Sequence, residues 1–402
     1  MIYNSNLIKF DIMNSVLKIF FAAFVISMSA CSPKGDGSVS EAVVNGNKMF
    51  FFSLNNLKSD TTTLLLSSIL ENCSLVQLET KDDAFFRPWF TTVTENFIGV
   101  RQQGGNPYKL FDRKGKFLCD VGAVGQGPGE YSGTLYDDLI DEKNGLIYLS
   151  PFVGNRIYVY NTHGQFVKYI DSPQWLVKPK IFLSNNILTI IHMPTKHENP
   201  NNPAANAADA IAIQFDVNTG DVLKKLAPPE FTVSQSIEGE IFNTRNISGV
   251  FDFLHTSSDT LYHFDLKNNK ILPVFSMTFD SSEKPYKQYF QLNKDLIITL
   301  VFGKGLIATD LKNKTSSWIK VVNDYYGNMS APTYIVQLRN GYWVHNIQPE
   351  QLIGDIEKRL AQRDCSEKDK QTLTKLLTTL EENTNNVVFI GKLKSEINTK
   401  LF

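Results

Sequence analysis

From about residue 90 onward, apolar and polar positions alternate in short runs of sheet period, and each run is closed by a polar turn. Five segments repeat one pattern: "YKLFDRKGKFLCDVG", "IYVYNTHGQFVKYI", "IAIQFDVNTGDVLKKL", "LYHFDLKNNKILPVF" and "LIATDLKNKTSSWIK". In each, an alternating strand ends at Asp or Asn, a short turn carrying Gly or Asn follows, and a second strand leaves. Asp and Asn accept hydrogen bonds from backbone amides two residues on, and Gly or Asn takes the left-handed conformation such a turn needs. The anchors are Asp112, Asn161, Asp216, Asp265 and Asp310, and successive anchors lie 45 to 55 residues apart. That spacing matches one four-stranded blade of a β-propeller. Further strand candidates, among them "ENFIGVRQ", "DDLIDEKNGLIYLS" and "DLIITLVFGKG", precede the hairpins and supply the rest of each blade. No long helical period falls between residues 90 and 340, and a parallel α/β fold would need several. A two-sheet sandwich is the competing arrangement, but it leaves the regular hairpin spacing without a cause.

Near the carboxyl end, "TYIVQLRNGYWVHNI" supplies two more strands, and the period then changes. "EQLIGDIEKRLAQRD" and "EKDKQTLTKLLTTLEEN" predict a two-helix insertion over residues 349–383. Leu373, Leu376, Leu377 and Leu380 share one face of the second helix, and Asp364 or Ser366 is its candidate cap. "NVVFIGKLK" returns the chain to the sheet. The early strands "KMFFFSLNN" and "CSLVQLET" are expected to close the ring beside this last blade, where an open edge would invite pairing with other chains. The expectation is an all-β chain: a six-bladed β-propeller over residues 50–402 with a short helical insertion in the last blade.

The amino end reads differently. Lys18 precedes an apolar run from Ile19 to Met28, and the small pair Ser29-Ala30 leads to Cys31. A positive foot, a short apolar core and small residues at the cut make a secretory signal over residues 1–30, too short to span a bilayer. Its last residues resemble a bacterial lipoprotein signal, with Cys31 as the lipid-carrying residue, and a start at Met13 would leave a more ordinary signal. Residues 31–49 begin Gly- and Ser-rich and read as a flexible tether. This places the protein in a bacterial cell envelope, anchored by lipid. Ser32, by resemblance to known sorting patterns, favours the outer membrane, on its periplasmic or surface face.

Composition narrows the partners. Lys plus Arg (40) nearly cancel Asp plus Glu (41) over 402 residues, and no basic patch is interleaved with aromatics, so nucleic acid is a poor partner candidate and none is expected. Cys73, Cys119 and Cys365 form neither a disulfide framework nor a metal pattern and are expected as free, buried thiols. The 28 Phe and 15 Tyr suit extensive sheet.

"GAVGQGPGEY" (Gly122–Tyr131) invites a nucleotide-loop reading, but its glycines alternate, Pro128 removes a donor, and no Lys follows. It reads instead as a crossover between blades, with Glu130 and Gln126 bonding loop amides and Tyr131 packed between blades. Ligand contact is the lesser alternative. His192 and His197 flank "MPTK" without a third ligand close by, so a metal there is disfavoured. His163 is expected in solvent and His263 beside an apolar strand. His192, His255 and His345, with Arg156 or Arg245, are the candidates for a site that different blades assemble in a central funnel. Asp137-Asp138 and Asp141-Glu142 lack the period of a calcium loop and read as a solvated turn. No compact nucleophile motif is present.

"SLVQLETKDDAF", "FDRKGKFLCDVGAVGQGPGEY", "NRIYVYNTHGQFVKYI", "SSDTLYHFD" and "VVNDYYGN" together resemble the six-bladed β-propeller lipoproteins of Bacteroidota, distant relatives of NHL-repeat propellers, from about Cys73 to Lys394. The resemblance implies the fold and names no reaction. The functional expectation is a binding or scaffolding module for a peptide, glycan or protein partner, monomeric and without a cofactor. The alternative is a lyase or hydrolase with a site assembled from several blades at the funnel. Cys31, for lipidation, is the one site residue assigned.

Overall fold

The computed structural model describes residues 36–193, 195–196, 210–227, 233–234, 239–256, 258–279, 285–331 and 336–397. Cys31, the signal and His197 lie outside them. Six four-stranded antiparallel units follow one another. Blade 1 is Pro88–Val93, Phe97–Gln102, Tyr108–Asp112 and Phe117–Val121. Blade 2 is Leu135–Asp141, Leu146–Pro151, Val153–Asn161 and Phe166–Val177. Blade 3 is Lys180–Ser184, Ile187–Ile191, Ala212–Asp216 and Val222–Leu226. Blade 4 is Ile241–Phe242, Phe251–His255, Thr260–Asp265 and Lys270–Thr278. Blade 5 is Lys287–Gln291, Leu296–Val301, Gly305–Asp310 and Thr315–Asn323.

Blade 6 takes Val336–Arg339, Tyr342–Ile347 and Val387–Leu393 from the late chain and its outer strand, Leu70–Gln77, from the early chain. "CSLVQLET" therefore closes the ring as expected. "KMFFFSLNN" does not. Asn47–Ser53 pairs in parallel with the outer strand of blade 4, with Phe52 opposite Met277, and carries Val39–Val44 on its far side. Thr61–Leu65 then covers the outer strand of blade 5. The early chain thus runs along two blade edges before it closes a third.

Each blade buries both faces, because its strands alternate between two neighbours. Among the described residues six apolar clusters accordingly lie one at every junction around the ring, and a seventh lies under the insertion. Tyr148, Ile157 and Leu188 sit between blades 2 and 3, Phe253 and Ile191 between 3 and 4, and Phe275 and Ile297 between 4 and 5. Trp343 and Ile298 sit between 5 and 6, Val93 and Val388 between 6 and 1, and Tyr108 and Ile147 between 1 and 2. A cluster at the junction of the last blade with the first makes the ring a closed one.

The hairpin anchors act as their chemistry dictates. Asp112 Oδ1 accepts from the amide of Lys114 at 2.9 Å, Asn161 Oδ1 from His163 at 3.0 Å, Asp216 Oδ1 from Asn218 at 2.8 Å, Asp265 Oδ1 from Lys267 at 3.1 Å and Asp310 Oδ1 from Lys312 at 2.8 Å. Blade 6 has no such hairpin, since its outer strand arrives from elsewhere. The Gly122–Tyr131 segment is the crossover from blade 1 to blade 2. Glu130 Oε2 accepts from Gly127 N at 2.8 Å, Tyr131 is buried, and its hydroxyl donates to Val121 O at 2.9 Å and accepts from Tyr108 N at 2.8 Å. Gln126 is exposed, and the loop is held further by Gly129, whose N donates to the Tyr169 hydroxyl at 2.6 Å and whose O accepts from the Tyr160 hydroxyl at 2.9 Å.

The insertion forms Pro349–Leu360 and Glu367–Leu377. Ser366, not Asp364, caps the second helix and accepts from Asp369 N at 3.1 Å. Leu373, Leu376, Leu377 and Leu380 pack with Ile347, Ile356 and Val387 against blade 6. Arg359 is buried, donates to Gly327 O at 2.9 Å and to Asp364 Oδ1 at 2.7 Å, and so ties the insertion to the preceding crossover. No helix among the described residues is long and apolar enough to cross a membrane.

Candidate functional site

Strand alternation sorts the connections between the two faces of the ring. Links from first to second and from third to fourth strands lie on one face, and nearly all are short turns. Links from second to third strands and from blade to blade lie on the other. Among the described residues that second face takes 78–87, 103–107, 122–134, 192–193, 210–211, 239–240, 285–286, 324–331 and the insertion 348–386. The Asn199–Ala208 stretch belongs to one of these links and falls outside the described residues. Long connections gathered over a rigid ring are where propellers carry function.

On the turn face, one link departs from the rule. Segment 243–250 of blade 4 crosses toward blades 5 and 6. Asn246 Nδ2 donates to Gln291 O at 3.0 Å and Leu338 O at 3.3 Å, and its Oδ1 accepts from Gly341 N at 3.0 Å. Asn340 N donates to Thr244 O at 2.8 Å. Asp252 anchors the segment by accepting from Thr244 N at 3.0 Å and Arg245 N at 2.6 Å. These bonds bridge the inner strands of three blades on the turn face.

At the centre lies a group of buried charges. Asp137 and Asp138 stand on the inner strand of blade 2 and are fully buried. The solvated-turn expectation is therefore wrong for this pair. Asp138 Oδ1 accepts from Arg101 Nε of blade 1 at 2.7 Å, and its Oδ2 accepts from the Tyr108 hydroxyl at 3.0 Å. Asp137 Oδ1 pairs with Arg339 Nη2 of blade 6, and Oδ2 accepts from Ile181 N of blade 3 at 2.8 Å. Arg245 Nη1 lies 3.9 Å from Asp137 and donates to Ile181 O at 2.7 Å, while Nη2 donates to Asp138 O at 3.1 Å. Arg245 holds φ +54, a left-handed conformation uncommon for a side chain of its size. Five blades contribute to this knot.

Lys180, the first inner residue of blade 3, completes it. Its side chain is buried over the Tyr136 ring, 4.1 Å from the centroid, and 5.9 Å from that of Phe90. No carboxylate lies within ion-pair distance of it among the described residues. Burial draws its ammonium down to about 7, against the attraction of Asp137 and with help from Arg101 and Arg339. Asp137 shows the opposite balance: burial would raise its carboxyl, but Arg339, then Arg245 and Lys180, hold it below the usual carboxylate range. Among the described residues Arg101 Nη2, Arg245 Nε and Arg339 Nε and Nη1 have no hydrogen-bond partner, although Arg339 Nη1 is 3.6 Å from Asp138.

Around this group on the long-connection face stand aromatic rings. Trp89, Tyr136 and Phe152 meet edge to face at 6.0 and 5.5 Å, and Arg101 lies over Phe90 at 4.6 Å. Tyr286 and Phe302, both exposed, tilt together at 4.7 Å. Glu240 is taken by Lys178 Nζ at 2.7 Å and by the Tyr136 hydroxyl.

The other candidates are placed as follows. His192, His255 and His345 lie at or near the second strands of blades 3, 4 and 6, and burial draws each down to about 4. His192 Nε2 meets Gln174 Nε2 at 2.6 Å in the junction with blade 2. Among the described residues no group of three His, Cys, Asp or Glu is arranged to hold a metal ion, so these histidines do not assemble into one. Arg245 belongs to the central group. Arg156 does not: it pairs with Asp171 at 3.3 Å on the partly exposed third strand of blade 2. His263 bonds Gln291 Oε1 at 2.7 Å, and His163 is exposed. Cys73, Cys119 and Cys365 are free thiols, of which only Cys365 is fully buried. The residues missed were Arg101, Asp137, Asp138, Lys180 and Arg339. Their one sequence signal was formal charge inside apolar strand runs.

Comparison with known proteins fits this architecture. The family described as a domain of unknown function, DUF4934, matches residues 50–392, and the chain belongs to it. A crystal structure of a Bacteroides fragilis protein described as exported superposes with a TM-score of 0.57 at 16% identity, covering 86% of this chain and 99% of that one. A member of the duf4221 family from Bacteroides vulgatus gives a TM-score of 0.45 at 10% identity over 81% of this chain and 97% of its own. No curated protein matches. The fold is thus a six-bladed propeller related to proteins of Bacteroidota.

Proposed function

We propose that this chain is an envelope-anchored binding module whose ligand, a peptide, glycan or protein segment, docks on the long-connection face of the propeller. One observation carries the reading. The described long connections and the exposed aromatics Tyr286 and Phe302 gather on the face opposite the short turns, and 243–250 is tied across that turn face. A rigid ring with partly exposed aromatic rings suits retention of a ligand, since aromatic side chains give large contact area at small entropic cost. The charges beneath are mostly spent on one another and on backbone carbonyls, which suits a fixed platform. The signal-like start and Cys31 support a lipid anchor and an outer-membrane address. A relative described as exported agrees with an extracytoplasmic place.

The test is an array of glycans and peptides probed with purified chain, followed by mass analysis of what is retained. Concentration-dependent capture, lost in Tyr286→Ala/Phe302→Ala and returned with unchanged mass, supports a binding module. A cleaved or eliminated product sinks it in favour of a lyase or hydrolase. For the anchor, Cys31→Ala should lose acyl labelling and move to the soluble envelope fraction. Continued membrane partition in detergent phase separation would rule the lipid out.

A further inference from the structure

Counted as charges, the centre of the ring does not balance. Arg101, Arg245, Arg339 and Lys180 face Asp137 and Asp138, Arg245 is also drawn by Asp252, and Glu240 near Lys180 is already paired with Lys178, so one positive charge is left over among the described residues. Cations buried in excess are unfavourable unless something opposes them. The excess is also directional. Arg101 is 1% exposed and Arg339 4%, yet each keeps guanidinium N–H groups without a hydrogen-bond partner among the described residues, and such orphaned donors are rare in a folded interior. Lys180 has three ammonium donors and no carboxylate within reach among the described residues. Arg101 and Lys180 share the Phe90 ring, and both touch Tyr136, Arg101 through that residue's carbonyl and Lys180 through its ring.

We propose that Lys180, with the spare N–H groups of Arg101 and Arg339, binds the carboxylate of a ligand entering from the long-connection face. A planar guanidinium and an ammonium match a carboxylate in shape and in donor count. A single negative charge is also what balances this excess while Lys180 keeps its proton. The half-buried rings of Trp89 and Phe90, which stand over Arg101, would flank the body of the ligand, with Phe152 edge to face on Tyr136 beside them. The site rests on the binding reading only for its face. A chain that holds a partner by its outer loops and ignores carboxylates would keep that reading and lose this one.

Proton linkage follows. The charged and titratable groups facing Lys180 are Asp137 and Tyr136 of blade 2, Arg101 of blade 1, Arg339 of blade 6 and Glu240 before blade 4. A bound carboxylate would favour the charged lysine, so binding takes up a proton once the free ammonium has begun to titrate. Affinity should be level below about pH 7 and weaken by up to tenfold per pH unit above it.

The experiment uses the full chain in detergent and follows thermal unfolding with sodium glucuronate and with N-acetylalanine. Glucose and N-acetylalaninamide serve as uncharged counterparts. One carboxylate or both should raise the midpoint by about 2 °C at ten times Kd, and the preferred one tells an acidic sugar from a peptide end. Lys180→Met keeps the stem on Tyr136 and removes an opposed cation, so it should fold with an equal or higher midpoint and no ligand response. Arg339→Met is expected to unfold more readily and is the poorer probe. A carboxylate response that survives in Lys180→Met, the absence of any response in the wild type, or an Lys180→Met chain clearly less stable than wild type overturns the proposal.

Discussion

Replacing Asp137 by Asn should unbalance the ring from its centre. The amide keeps the shape of the side chain and can still accept from Ile181 N, so what is removed is charge. Asp137 answers Arg339 directly and Arg245 at 3.9 Å, with Lys180 near by. A unit-charge pair at about 4 Å is worth about 4 kcal/mol at an effective dielectric near 20, and breaking a buried pair costs about 3–5 kcal/mol. Arg339 retains Asp138 at 3.6 Å, which offsets part of this, so about 3 kcal/mol is expected. The assay is urea unfolding followed by tryptophan fluorescence at pH 7, repeated toward acid. The wild-type carboxyl is held below its ordinary value, so its contribution is full above about pH 4 and is lost as pH falls through the lower, folded value. Asp137→Asn should lack that part of the acid decline. Adding Lys180→Met should restore at least about 1 kcal/mol, because the cation it removes has lost its nearest counter-charge. A loss under about 1 kcal/mol at pH 7, or an unchanged acid limb, would refute the account of the centre.

Two further substitutions probe the frame. Gly122 has φ +70, and a Cβ there would come 2.5 Å from the buried Tyr160 ring, so Gly122→Ala should cost about 2–4 kcal/mol; Gly133→Ala, at φ +78 in open space, should cost only about 1 by urea unfolding. Arg359→Ala should leave Gly327 O and Asp369 under-satisfied, speed hydrogen exchange across 349–377 and lower stability locally by about 2 kcal/mol, without altering exchange in blades 1 to 4.

Local chemistry was legible in the chain. The anchors Asp112 to Asp310 bond amides two residues away, so their pattern is written in a short window. The insertion announced itself by period, and its cap by Ser366. What could not be read depends on distance. Asp137 looks like any acid in "LYDDLID" until Arg339 arrives from 202 residues away, and Arg245 reaches Asp138 across 107. Alternation likewise says that "KMFFFSLNN" is a strand. It does not say which of several free blade edges will take it, and the edge of blade 4 did.

The closure of blade 6 also governs when this protein can fold. A chain made or exported from its amino end presents Leu70–Gln77 early, and the strand it pairs with, Val387–Leu393, comes last. Asn47–Ser53 and Thr61–Leu65 must likewise wait for blades 4 and 5. Early blades can form hairpins as they emerge, and Val39–Val44 can pair with Asn47–Ser53, but Thr61–Leu65 and Leu70–Gln77 wait for strands of blades 5 and 6. Contacts of such long sequence separation are slow to form. A chain cut short before Val387 would keep most of its blades and still lack the step that commits it, presenting unpaired apolar strand at the seam. Maturation is therefore a single late event, and the seam is where a chaperone or protease would tell a finished molecule from an unfinished one.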